Sequence, residues 1–257
     1  MAITQPVGYP FSSSSNSGVS SVAFPATQQI GDEFVLAITT GTTAYTITSI
    51  SDTAGQVSTW SIVYQSGSTG QYYYVVRGTV AANPGVTTTV NIAWSSTNST
   101  FTDMAAYCLH PGISSPTWGV VATGGTTNAS STSVTFPTLV SNAVALQAYI
   151  GFAFLNNSWA SGATPAGFTS WNTSSPGLDL GIYDLSLATN TGYTPTGQQT
   201  PASTAASVGV ILSVASVPSY APRALPRSFT AVSRAANWMK RETGLWSPES
   251  GLRPRVA

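Results

Sequence analysis

Charged residues are scarce in this sequence, and cysteine and histidine occur once each, as Cys108 and His110. Charged residues make up 6% of the 257 residues, whereas about 25% is usual for a soluble protein. A single cysteine excludes an intrachain disulfide framework, and a single histidine excludes a zinc site built from several imidazoles. The alternating aspartates of a calcium-binding loop are also missing. We therefore predict neither a metal site nor a cofactor.

Long apolar runs are missing as well. The first residues, MAITQPVGYPF, lack the basic start and the apolar stretch of a secretory signal peptide. The longest apolar stretch, AVALQAYIGFAFL, is too short and too interrupted to span a bilayer. We therefore expect neither signal-directed secretion nor membrane insertion.

The few charges are distributed unevenly along the chain. Residues 1–220 contain one basic residue, Arg77, and six acidic residues, which gives a net charge of −5. Residues 221–257 contain seven basic residues and two acidic ones, which gives +5. The neutral total therefore hides two dissimilar parts, an acidic body and a basic C-terminal segment.

What the body does contain is a series of short segments rich in Val, Ile, Thr and aromatic residues, such as EFVLAITT, QYYYVVRG and VTTTVNIAW. Their polarity often alternates, and clusters of Gly, Pro, Asn or Ser separate them, which is typical of β-strands. Residues 19–216 are therefore predicted to form an all-β domain, a two-sheet antiparallel β-sandwich of jelly-roll type. Residues 1–18, which include the serine-rich SSSSNSG, are predicted to be a flexible segment.

Two segments of the body resemble one another. IGDEFVLAI, which starts at Ile30, and VSNAVALQA, which starts at Val140, each begin in a turn and continue into an apolar strand. Two related half-domains would produce this similarity, and so would two unrelated buried strands. The sequence alone leaves both interpretations open.

The C-terminal segment, residues 217–257, has a different pattern. Pro218, Pro222 and Pro226 prevent strand pairing and favour an extended spacer. Apolar residues then recur at helical spacing, so we predict an extended arm that contains one short amphipathic α-helix. A helix of this length is marginal alone and needs a surface on which to pack. Nucleic acid and membrane are disfavoured as partners, because the basic residues are too sparse and the apolar face is too narrow.

The same arm combines arginines with large apolar side chains. Arginine gives directional pairing and buried aromatic side chains give anchors, which are the features of a protein-docking segment. We therefore predict that the arm docks on another protein. The predicted docking residues are Arg227, Phe229, Val232, Arg234, Trp238, Met239, Lys240, Arg241, Leu245 and Trp246.

Few residues suggest catalysis. Cys108 and His110 lie two residues apart on a predicted strand, so they would share a face and could form a nucleophilic pair. We favour the competing interpretation, a buried cysteine followed by a histidine in the HPG turn. Asp32 and Glu33 fall in a turn where solvated acids are common, and Asp52 in SDTAG fits a turn that its own carboxylate supports. The Gly-x-Ser-x-Gly elbow of serine hydrolases is missing. We therefore predict no catalytic residue and no enzymatic activity.

Aromatic side chains are the candidates for a surface contact, because glycans stack on exposed tyrosine and tryptophan rings. Tyr73 lies on the opposite strand face from Tyr72 and Tyr74, so at least one of the two faces is expected to meet solvent or a partner. Trp159 and Trp171 fall in loop-like sequence. We predict Tyr73, Trp159 and Trp171 as contacts to a glycan or another protein, the alternative being that the two tryptophans cover the ends of the sandwich.

The order of segments in the body resembles a known type of module. The relevant stretches are IGDEFVLAITT, SISDTAG, YYYVVRGTVAANPGVTTTVNIAW, AAYCLHPG and TPAGFTSW. Over residues 19–216 they resemble a β-sandwich module of tailed-phage accessory virion proteins, of the minor tail or decoration type, and of related bacterial surface proteins. This resemblance implies a sandwich fold and a structural role, and it implies no catalytic residue.

We therefore expect a non-enzymatic structural protein of a tailed-bacteriophage virion, in the position of a minor tail protein. It would be assembled in the host cytoplasm and exposed on the particle exterior. The expected partners are other virion proteins, reached through the arm, and further copies of the chain, because virions repeat their subunits with symmetry. The alternatives are a capsid decoration protein and a module that binds a glycan of the host surface.

Overall fold

The computed structural model divides the chain into two units, Met1–Val217 and Pro218–Ala257. The residues that the structure describes are 2–15, 20–40, 46–68, 71–95, 102–155, 164–175 and 178–216. They all belong to the first unit, so the predicted helix and the spacer before it lie outside the described residues. The described part is all-β with antiparallel strand pairing, which confirms the predicted fold class.

The first half of the described chain forms two antiparallel sheets. Its strands are β1 (Phe11–Ser15), β2 (Ser20–Phe24), β3 (Glu33–Thr40), β4 (Ile47–Asp52), β5 (Val57–Ser68), β6 (Gln71–Val80), β7 (Thr88–Trp94) and β8 (Thr102–Leu109). The first inner sheet has the order β1-β8-β3-β6-β5, and the first outer sheet has the order β2-β7-β4.

The second half forms two further antiparallel sheets. Its strands are β9 (Pro116–Thr135), β10 (Leu139–Val140), β11 (Leu146–Leu155), β12 (Thr169–Ser175), β13 (Leu178–Asp184), β14 (Gly192–Tyr193) and β15 (Thr196–Ser216). The second inner sheet has the order β12-β13-β11-β15-β9, and the second outer sheet is the pair β10-β14.

The two halves share one strand order. In each inner sheet a hairpin (β5-β6 or β12-β13) lies beside a central strand (β3 or β11), followed by the last strand of that half (β8 or β15) and then its first (β1 or β9). In each outer sheet the second strand of the half pairs with the strand before the last, β2 with β7 and β10 with β14. The halves are therefore related in topology, which favours the first interpretation of the repeated segments.

The matching letters of those segments nevertheless do not mark equivalent positions. Leu36 and Leu146 align when the two segments are superposed letter by letter. Leu36 packs towards the first outer sheet, whereas Leu146 packs towards the opposing inner sheet. Side chains alternate between the two faces of a strand, so residues that align by sequence in the two segments point to opposite sides of their sheets.

The sheets stack in four layers with three apolar cores. The central core lies between the two inner sheets and includes Val35 and Ile150. A second core lies between the first inner and first outer sheets, and a third covers the other face of the second inner sheet. Strand β3 therefore has both faces covered, and all eight of its residues are buried. This explains its continuous apolar run, which a strand with one wet face would not need.

The prediction that residues 1–18 form a flexible segment is wrong for the described residues 2–15. Strand β1 pairs with β8 from Phe11 opposite Ala106 to Ser15 opposite Thr102. Ile3 and Tyr9 are buried in the cores. The serines belong to an ordered strand because their backbone groups meet the open edge of β8, and composition alone does not reveal that edge.

Candidate functional site

The strongest candidate for a reactive site is the cluster of polar groups around Asp32, in the turn before β3. Asp32 is fully buried, and its Oδ1 lies 2.6 Å from Nδ1 of His110. Its Oδ2 accepts a hydrogen bond from the backbone N–H of Gln29 at 2.8 Å and one from Sγ of Cys108 at 3.7 Å. Cys108 and His110 therefore both contact the carboxyl group of Asp32, and within the described residues no hydrogen bond joins their two side chains.

Burial governs the electrostatics of this cluster. It raises the pKa of Asp32, although the Gln29 N–H, His110 and the Cys108 thiol oppose the shift. Burial, followed by the charge of Asp32, raises the pKa of Cys108 well above its ordinary value. Burial also raises the pKa of the nearby Tyr9, with Cys108 and Asp32 adding to the shift. Since the thiolate is the reactive form of cysteine, the geometry disfavours Cys108 as a nucleophile.

The cluster instead fastens the N-terminal segment to the sandwich. The backbone N–H of His110 donates to Thr4 O at 2.8 Å, and Thr4 N–H donates to His110 O at 3.0 Å. Ile3 beside this bridge is buried in the central core. Asp32 thus holds the residue that anchors the start of the chain, and the cluster has a structural role.

A second buried acid, Glu33, joins the two halves. Its carboxylate accepts hydrogen bonds from Nε of Arg77 and from Oγ1 of Thr79, the latter at 2.5 Å. Arg77 Nη2 also donates to the backbone O of Trp118 at 3.4 Å, and Trp118 Nε1 donates to Gly31 O at 2.8 Å. The bonds therefore run from β3 and β6 of the first inner sheet to β9 of the second.

The expectation that Asp32 and Glu33 are solvated is wrong, since both are fully buried. The physical reason is that they begin a strand covered on both faces, so that consecutive side chains enter two different cores. For Glu33, burial raises the pKa, with Arg77 and Thr79 acting in the opposite direction. One signal in the sequence indicates the Glu33–Arg77 pair, because Arg77 is the only basic residue before residue 221 that could partner a buried acid.

The prediction of Tyr73 as a surface contact is wrong. Its exposed fraction is 5%, and its ring centroid lies 4.1 Å from that of Phe154 in the central core. Burial raises its pKa to about 12. Tyr74, on the other strand face, is buried in the second core. Both faces of β6 are shielded from solvent, because other sheets cover the first inner sheet on each side. The prediction assumed that one face was open to solvent or a partner.

Trp171 lies on strand β12 and not in a loop. Its indole Nε1 donates to the hydroxyl of Tyr107, and the two rings meet edge to face with centroids 5.7 Å apart. The side chain is half-buried against the central core. It therefore covers the flank of the interface between the halves, and the residue is only partly buried. Trp159 lies outside the described residues, as do the ten predicted docking residues between positions 227 and 246.

Two further acids serve local turns. Asp52 Oδ1 accepts from Gln56 N–H at 2.7 Å and Oδ2 from Val57 N–H at 3.1 Å, which confirms the predicted carboxylate-supported turn. Asp184 accepts from the backbone N–H and the hydroxyl of Ser186. Within the described ranges, no three His, Cys, Asp or Glu side chains converge into a potential metal site. Nor do these ranges include a helix with the length and apolar character needed to span a bilayer.

Comparison with known proteins identified no relative of this chain. A scan against protein-family models, a search of curated proteins and a search of solved structures each found no match. Functional inference therefore rests on the residues of this chain.

Proposed function

We propose that this protein is a non-enzymatic structural component of a tailed-bacteriophage virion, in the position of a minor tail protein and anchored by its C-terminal arm. The observation that carries the proposal is the division of the chain into an acidic β-sandwich body and a basic arm rich in apolar anchors. A capsid decoration protein is the alternative location on the particle.

The arrangement of charge in the body supports a structural role. Asp32, Glu33 and Asp103 are fully buried, and Asp32 and Glu33 hold chain segments together. A hydrolase would need at least one such group to face an accessible cleft. The buried thiol of Cys108 likewise supports a role that does not depend on nucleophilic chemistry.

The charge difference between body and arm supports docking. The body carries −5 and the arm carries +5, so the arm fits an acidic groove on a neighbouring virion protein. Phe229, Trp238, Met239 and Trp246 would supply the buried anchors of that contact. Burial of the predicted arm helix in the groove would hold the body on the particle exterior.

Co-sedimentation with particles that lack this protein tests the anchor. We expect the full chain to bind, and the variant Trp238→Ala/Met239→Ala to bind at least tenfold more weakly with an unchanged melting temperature of the body. Val86→Ala/Val140→Ala is the matched control, because both valines are exposed apolar side chains of the body. The control should bind like the unaltered protein.

The other outcomes of that experiment have definite meanings. If the control variant loses binding and the arm variant does not, the body makes the contact and the proposed anchor is wrong. If the unaltered chain fails to bind, the virion proposal is contradicted.

A glycan-binding module of the host surface is the second candidate. The observation in its favour is that Trp171 is only partly buried and lies on β12, an edge strand of the second inner sheet. Binding of the protein to host cell-wall polysaccharide, lost in Trp159→Ala or Trp171→Ala, would support this function. Binding that both variants retain would contradict the assignment of these two residues.

A further inference from the structure

Strand β9 forms an outer edge of the second inner sheet. Among the described strands it is hydrogen-bonded only to β15. Within it, Ala122–Asn128 pairs with β15 without a break, from Ala122 opposite Ile211 to Asn128 opposite Ala205. The backbone groups on the other side of such a strand are available to pair with a further strand. We call Ala122–Asn128 the edge segment.

Both ends of the edge segment are fixed by the fold. Before it, the register with β15 shifts between Ala122 and Val120, so that Val121 is an extra residue in β9. After it, the register shifts again, and the side-chain amide of Asn128 donates to the backbone O of Thr135 and accepts from its N–H at the end of β9. The longest unbroken stretch of β9 is therefore seven residues long, with its centre at Gly125.

The edge segment lacks the usual protection against pairing. Natural edge strands are commonly short, broken by bulges, or carry lysine or proline. The edge segment contains no charged residue and no proline. On the outer strand β5 the longest unbroken pairing is five residues, Tyr64–Ser68. Among the described outer strands, the edge segment therefore offers the longest regular uncharged edge.

The segment is complementary to itself. When two copies pair antiparallel about Gly125, residue 122 lies opposite 128, residue 123 opposite 127 and residue 124 opposite 126. Thr123 then faces Thr127, a favourable cross-strand pair, and glycines occupy the centre. Like charges do not meet across the junction, although each body carries −5. A two-fold pair of this kind is the commonest form of protein self-association.

We propose that two copies of this chain associate by antiparallel pairing of their edge segments about a two-fold axis at Gly125. The second inner sheets of the two copies then form one continuous sheet across the axis. Gly125 is exposed, and its Cα lies against the hydroxyl of Tyr64 on one face, where a Cβ would come within 1.9 Å of that oxygen. Glycine at this position thus allows β9 to pack against Tyr64 of β5.

Sedimentation velocity of the full chain over a series of concentrations tests the proposal. We expect a monomer–dimer equilibrium that Thr123→Lys/Thr127→Lys weakens at least tenfold, because lysines of the two copies then lie directly opposite one another. The matched control is Thr117→Lys/Thr132→Lys, which adds the same charge at exposed positions of β9 outside the edge segment. The control should dimerise like the unaltered chain.

Amide hydrogen exchange gives an independent result on the unaltered protein. Protection of residues 122–128 should rise with protein concentration, and the dimer should persist when salt is raised. Association through the basic arm and the acidic body would weaken with salt, because screening reduces attraction between exposed charges. A chain that stays monomeric, or a dimer whose edge segment gains no protection and which tolerates both lysines, overturns the proposal.

Discussion

Arg77 is paired with Glu33 at the boundary between the two halves of the body. The Arg77 side chain is 17% exposed and the Glu33 side chain is fully buried. The pair forms within the first inner sheet, and the same guanidinium reaches the backbone of Trp118 in the second. The sole basic residue of the body thus neutralises a buried acid and links the two stacked sandwiches.

Removing the base should destabilise the body strongly. Arg77→Met leaves Glu33 buried and without its ionic partner, which costs about 3–5 kcal/mol of unfolding free energy. The double variant Glu33→Gln/Arg77→Met removes both charges and should recover most of that loss. Urea denaturation of the three proteins measures the difference. A loss below about 1 kcal/mol in the single variant would show that Glu33 is not held as a buried charge.

Asp32 should make the stability of the body depend on pH. Burial raises its pKa above the ordinary 3.8, so the folded state binds the proton of Asp32 more tightly than the unfolded state does. A group of this kind contributes stability that is present below its unfolded pKa and is lost as the pH rises through its folded pKa. The free energy of unfolding should therefore fall from about pH 4 upwards relative to that of Asp32→Asn.

Denaturation of both proteins at a series of pH values checks this expectation. Burial also raises the pKa of Glu33, so Glu33 makes the free energy of unfolding fall with pH in both the unaltered protein and Asp32→Asn. Only the difference between the two proteins therefore reports on Asp32. Parallel pH profiles, or a profile in which the unaltered protein gains stability with pH relative to the variant, would contradict the assignment.

Cys108 should be unreactive in the folded protein. Its side chain is buried and its pKa is raised well above the ordinary value, so thiolate is scarce. A thiol-exchange reagent such as DTNB should react with one equivalent per chain only after unfolding in urea. Rapid stoichiometric reaction under native conditions would show that the Asp32 cluster opens readily and would reinstate the thiol as a candidate reactive group.

The strand pattern predicted the fold class because period-two alternation and turn residues are local properties. The layer arrangement depends on which strands pair over long distances, so the covered faces of Tyr73 and Tyr74 could not be deduced from their alternation. The serines of β1 show the same limit, since their order comes from the edge of β8. For the candidate site, the spacing of Cys108 and His110 indicated a shared face, but the common partner Asp32 lies 76 residues or more away in sequence.

Gly181 should be essential to the contact between Tyr107 and Trp171. A Cβ at this position would lie 2.0 Å from Nε1 of Trp171 and 2.4 Å from the hydroxyl of Tyr107. These two groups are hydrogen-bonded to one another. Gly181→Ala must therefore displace an aromatic side chain at the junction of the halves, and overpacking of this kind costs about 1–3 kcal/mol.

Gly192→Ala is the matched control for this substitution. Gly192 also lies in a strand, and a Cβ there would meet nothing within 4 Å. Thermal unfolding and tryptophan fluorescence should change in Gly181→Ala and stay unaltered in Gly192→Ala. Equal stability of the two variants would mean that Trp171 moves aside freely. The indole would then be mobile enough to serve as a surface contact. Its hydrogen bond to Tyr107 would then contribute little to the stability of the junction.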